Sequence, residues 1–184
     1  MIVPAPSASG SVDCPGGKLR RFRLTRCVGK TSTIDESAHR YQLLRLADHR
    51  SPEHDIAEKA IEHLLASNIA LFISAQVLVE FWVVATRPDS VNGLGWSTET
   101  AADAIRALRD QFPLLAESPD VLDRWFELVD RCQVAGKQAH DARLAALVVT
   151  HGIDHLLTFN TADFPQNWAV QAAHPRQFMA TSAE

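Results

Sequence analysis

The sequence predicts an α/β layer fold with a mainly parallel sheet. Three observations carry that prediction. Stretches with helical periodicity alternate with short apolar runs of strand length. The run Ile69-Ala70-Leu71-Phe72-Ile73 is apolar without a break, as in a parallel strand buried on both faces. The chain has 184 residues, 46% of them hydrophobic and 22% charged, which is one domain's worth of sequence with material for a real core.

The elements follow in order. Residues 1–18 are rich in Pro, Ser, Gly and Ala and show no period, so they read as a disordered head. In residues 19–42 the stretch Phe22 to Val28 has the composition of a short strand, with Gly29 to end it. Ser51-Pro52-Glu53 is a helix start: a capping hydroxyl, proline at the first helical position, then an acid facing the dipole. Ile56, Ala60, Ile61, Leu64 and Leu65 form that helix's apolar stripe, and Asn68 is its stop. After the strand at 69–73, Ser74 caps a helix that runs to about Thr86. Pro88 and Asn92-Gly93-Leu94-Gly95 make a loop. Ser97 starts a third helix to about Phe112, and Ser118-Pro119 a fourth to about Cys132. Gly136 breaks the chain. A fifth helix spans about Ala139 to His151 and closes on Gly152. His155 to Phe159 reads as a strand, and Ala169 to Ala172 as a last short one.

Composition excludes several classes. No apolar run approaches the ~18 residues of a membrane span, and the N-terminus lacks the basic-then-apolar layout of a signal peptide. Three cysteines, Cys14, Cys27 and Cys132, have neither metal spacing nor an even count, so a reducing cytoplasm is the expected compartment. The net charge of −4 is unevenly spread. Residues 1–34 carry six Lys/Arg against one Asp, and the rest twelve against twenty-one Asp/Glu. An acidic body does not wrap nucleic acid over its whole surface; binding would need a local patch or a metal. The basic head is either a solvated tail or a nucleic-acid contact.

Chemistry is expected at the carboxyl ends of the strands, where ligands bind in such sheets. Ser74, Asn160 and Asp163 fall just past a strand. Glu80 has Val77, Val83 and Val84 as helical neighbours; a carboxylate so placed is paired, binds a cation, or reaches water at the edge of the stripe. Asp141 is in the first turn of its helix, where it either complements the dipole or serves a site. Asp163 is a turn residue or a ligand, and Thr158 and Asn160 are strand-end hydrogen bonders. The histidines have no zinc spacing, the glycines no phosphate-loop pattern, and no Gly-x-Ser-x-Gly elbow occurs.

Three blocks together resemble PIN-domain proteins of the VapC type. They are Ser74-Ala75-Gln76-Val77-Leu78-Val79-Glu80-Phe81-Trp82 through Arg87-Pro88, then His140-Asp141-Ala142-Arg143-Leu144-Ala145-Ala146 with His151-Gly152, then Leu157-Thr158-Phe159-Asn160-Thr161-Ala162-Asp163-Phe164. The resemblance runs from about Leu43 to Pro175. It implies a three-layer α/β/α PIN-like domain over 35–178, between the basic head (1–34) and a tail (179–184). It further implies a metal-dependent endoribonuclease, the toxin of a toxin–antitoxin pair, acting on RNA, bound by an antitoxin protein, homodimeric and without a membrane. Glu80, Asp141 and Asp163 match the family's second, third and fourth acids, expected close together at one end of the sheet. Thr158 and Asn160 match its supporting polar residues, with Ser74 at the start of the Glu80 helix. Arg87 is a candidate phosphate contact. Hard carboxylate oxygens suit Mg²⁺ or Mn²⁺ rather than Zn²⁺.

The family's opening strand, which ends in Asp-Thr-Asn, has no match. A gapless extension from Leu43 puts His39-Arg40-Tyr41 there; a four-residue shift puts Asp35 in the role, so the metal site is expected to be weakened, with Asp35 or nothing as its remaining acid. The abrupt loss of resemblance suggests that the stretch before Leu43 arose by frameshift, rearrangement or a misassigned start. Another frame upstream of the Leu43 codon should then encode an apolar strand ending in Asp. Some segment must fill the first strand's place, because unpaired buried backbone groups each cost about 1–3 kcal/mol. Phe22 to Val28 is the expected occupant, with Ile34 to Tyr41 as the other candidate.

Overall fold

The computed structural model describes residues 2–3, 42–49, 51–153 and 155–179. Its elements are β1 (Ile2–Val3), α1 (Gln42–Ala47), α2 (His54–Ala66), α3 (Ala75–Thr86), α4 (Thr98–Gln111), α5 (Pro119–Arg131), α6 (Gln138–Thr150), β2 (His155–Leu157) and β3 (Gln171–Ala173), with short 3-10 turns between them. The helices match the expected ones to within two residues, and α1 is an addition. The start of α2 moves from Pro52 to His54. Ser51 is buried in a turn before the helix, where its Oγ accepts from the Glu53 N–H and from Arg45 Nη1. Asn68 ends α2 with a positive φ of 57°, and Gly152 ends α6 at 66°.

Two buried clusters fall on opposite faces of the strand segments. Leu71, Ile73 and Leu157 join Ala57, Ile61, Leu64, Phe81, Ala101 and Leu108, on the side of α1 to α4. Leu156, with Phe72 packed beside it, joins Val121, Leu128, Ala142, Ala145 and Leu147, on the side of α5 and α6. Successive residues of a strand point to opposite faces, so this alternation defines three layers: helices, sheet, helices. The chain has the α/β/α architecture, around a sheet that is parallel between β2 and β3 and antiparallel between β1 and β2.

The sheet departs from expectation in three places. Phe72 and Ile73 both sit at bridge positions; the pairing among the described residues is parallel, Ile73 to Leu114, closed by the Ile73 N–H to the Pro113 carbonyl and the Leu115 N–H to the Ile73 carbonyl. The sequence assigns no element to Leu114 and Leu115, which fall between the third and fourth helices. β2 pairs β3 in parallel, Leu156 opposite Ala172, and the Thr158 N–H extends that ladder to the Ala173 carbonyl. Ala169 turns at φ 59°, which moves the last strand on to Gln171. The other edge of β2 pairs antiparallel with β1, Ile2 opposite Leu156 and Val3 opposite His155. Ile2 and Val3 were expected in a disordered head; instead they meet the backbone demand of the β2 edge. Phe22 to Val28, Ile34 to Tyr41 and Asp35 lie outside the described residues.

Candidate active site

α6 reaches β2 through residues 151–154, so it runs back along the sheet and its first turn lies beside the carboxyl end of β2. α3 leaves the carboxyl end of the 69–73 segment. Gln76 joins the two helices: its Nε2 donates to the His140 carbonyl at 2.8 Å. This bond brings the first turn of α3 against the first turn of α6, which carries Asp141.

Each side chain is aimed by local structure. Ser74 is fully buried and caps α3, its Oγ accepting from the Val77 N–H at 3.2 Å. Glu80, half-buried beside buried Val77, Phe81 and Val84, takes a hydrogen bond from Gln76 Nε2 on Oε1 at 3.0 Å. Its Oε2 takes none among the described residues. Asp141 stands in the first turn of α6, where the free N–H groups favour a carboxylate. Trp125 of α5 pins that turn, its Nε1 donating to the Ala139 carbonyl at 2.9 Å. Thr158 is buried and shapes the turn after β2 by accepting from the Asn160 N–H at 3.1 Å. Asn160 Nδ2 donates to Asp163 Oδ2 at 2.8 Å.

Glu80, Asp141 and Asp163 do not come together as a three-residue group with ligand atoms within 4.8 Å of one another. Among the described residues, the three-residue group whose ligand atoms all lie within 4.8 Å of one another is His54, Asp55 and Glu58, at the start of α2. There His54 is already committed to structure, with Nδ1 on the Arg45 carbonyl at 3.0 Å and Nε2 against His49 at 2.8 Å. Arg87 also stands apart from the acids. It is the C-cap of α3, seven residues past Glu80, or roughly 10 Å along the axis. Two residues at the site escaped the sequence reading. Gln76 had a usable signal, its i,i+4 spacing to Glu80. Arg143 had none, because its partners Gln76 (3.1 Å) and Glu117 (2.9 Å) are distant in sequence.

The PIN domain family model matches residues 43–167, about two thirds of the chain. The chain belongs to the PIN domain family. The PIN fold also relates it to solved structures. VapBC2 from Rickettsia felis, bound to a DNA fragment from their promoter, aligns with a TM-score of 0.54 at 18% identity, over 72% of this chain and 92% of that one. VapBC-1 from nontypeable Haemophilus influenzae aligns with a TM-score of 0.54 at 15% identity, over 73% and 93%. At such identities the likeness is one of fold. No curated protein matches this PIN domain. None of its described helices is long and apolar enough to cross a membrane.

Proposed function

We propose that this PIN domain is a metal-dependent endoribonuclease of the VapC type, the cytoplasmic toxin of a toxin–antitoxin pair. One observation supports this reading above the rest: Gln76 holds Glu80 to the helix turn that carries Asp141, at the carboxyl edge of the sheet. The donor chemistry fits a hard divalent cation, Mg²⁺ or Mn²⁺, because all three candidates are carboxylates. Asp141 and Asp163 would hold the ion, with Glu80 beside it and Asp35 as the proposed fourth acid. Such an ion polarises a phosphodiester and lowers the pKa of water. Glu80 orients the attacking water and takes its proton on Oε2. Asn160 holds Asp163 so that an oxygen faces the site. The proposed partners are an RNA substrate, an antitoxin protein and a second copy of the chain.

The test is cleavage of structured RNA with Mg²⁺ or Mn²⁺, run beside EDTA and Asp141→Asn. Metal-dependent cleavage that the substitution abolishes is the expected result; cleavage indifferent to both overturns the assignment. A second reading, an impaired PIN module that binds RNA or an antitoxin without efficient cleavage, is favoured by one observation. The strand on the free edge of β2 is Ile2–Val3, antiparallel and without an acid. RNA binding without cleavage under the same conditions would select it.

A further inference from the structure

A hydrogen-bonded chain joins α3, α6 and the loop before α5 through the side chains of Gln76, Glu80, Arg143 and Glu117 and the His140 carbonyl. Arg143 Nη2 donates to Glu117 Oε2 at 2.9 Å, and its Nη1 donates to Gln76 Oε1 at 3.1 Å. Gln76 Nε2 then gives its two hydrogens to Glu80 Oε1 (3.0 Å) and to the His140 carbonyl (2.8 Å). A guanidinium only donates, so it fixes which end of the Gln76 amide is oxygen. The NH₂ end must then face Glu80 and α6. Arg143 thereby holds the amide oxygen and fixes the orientation that Glu80 Oε1 and the His140 carbonyl, both acceptors, require of the NH₂ end.

We propose that Gln76, oriented by Arg143, is a positioning residue that sets the spacing between the Glu80 and Asp141 carboxylates. The inference rests on the metal-site reading above and adds to it. Glu80 alone is held only by the backbone of α3 and its own rotamer. Gln76 ties it to the residue next to Asp141, so a shift of one helix carries both acids. Glu117 anchors the far end of the chain and neutralises Arg143, which otherwise would draw the acids to itself.

Mn²⁺ binding by calorimetry, measured on a double-mutant cycle with Gln76→Leu and Arg143→Ala, tests this. Each single substitution should weaken Mn²⁺ binding roughly 10- to 100-fold, the usual effect of losing an outer partner of a ligand. Arg143→Ala should add almost nothing in the Gln76→Leu background, because it acts through Gln76. A merely structural contribution would lower melting temperature and leave affinity alone. Gln76→Glu, which keeps the acceptor for Arg143 and removes both donors, should also weaken binding. Wild-type affinity in Gln76→Leu, or fully additive losses, would overturn the proposal. If the wild-type chain binds no Mn²⁺, the metal reading fails, and a crystal structure of Gln76→Leu decides this one separately. A Glu80 carboxylate swung away from α6 upholds the positioning role, and one left in place refutes it.

Discussion

Ser74 shows how much of the site rests on one hydroxyl. Its Oγ holds the Val77 N–H at the buried start of α3, and α3 carries Glu80. Ser74→Ala should cost about 1 kcal/mol, within the 0.5–2 kcal/mol range of lost caps. Urea unfolding would show it as a lower midpoint at unchanged slope. Asp141→Asn acts oppositely: it should lower cleavage by more than the roughly 10- to 100-fold that an outer partner costs, with the melting temperature near wild type. His174 offers a test by pH. Burial, with Arg176 nearby, lowers its pKa below 6.5, and Glu53 opposes this. Its Nδ1 accepts the Arg176 N–H at 3.1 Å, so protonation removes that acceptor. The unfolded chain then binds the proton more readily. Stability is fully present above about pH 6.5 and is lost as pH falls through the folded value. Thermal melts between pH 7.5 and 5 should show the decline, and His174→Asn should flatten it.

The return loop after α3 is a structural unit in its own right. Leu94 N–H bonds to the Val84 carbonyl, Gly95 N–H to Arg87 and Trp96 N–H to Ala85, so the loop satisfies the carbonyls at the end of the helix. Trp96 then sets its ring edge-on to Phe81, centroids 6.1 Å apart. A Cβ on Gly93 would stand 1.9 Å from the Arg87 carbonyl oxygen. Gly93→Ala should therefore cost about 1–3 kcal/mol, as overpacking does, seen as a lower unfolding midpoint. At this scale the sequence was most legible. Caps and stop residues such as Ser74, Ser97, Asn68 and Gly152 act locally, and the helices they bound appeared where their periodicity put them. The strands were legible as apolar runs but not as ladders. Leu114 pairs with Ile73, and Ile2 with Leu156, across separations that no local pattern encodes. The candidate acids rest on three blocks of resemblance, whereas the Arg143–Gln76 link depends on tertiary placement.

On the proposed reading a divalent cation binds the folded chain at Asp141 and Asp163, and a ligand that binds only the folded state stabilises it. Mg²⁺ or Mn²⁺ should thus raise the melting temperature. At 100 times Kd the gain is about 2.7 kcal/mol, or roughly 5–10 °C for a chain this size. A thermal shift series in metal, with EDTA as blank, measures it; no shift at millimolar metal would argue against the site. The pairing of β1 with β2 has a different consequence, for the order of assembly. Ile2 and its partner Leu156 are 154 positions apart. At ~5–20 residues per second, synthesis separates them by roughly 8–30 s. Ile2 and Val3 therefore leave the ribosome long before β2 exists, and wait while the helices between are made. The edge they cover is completed by residues made well before it.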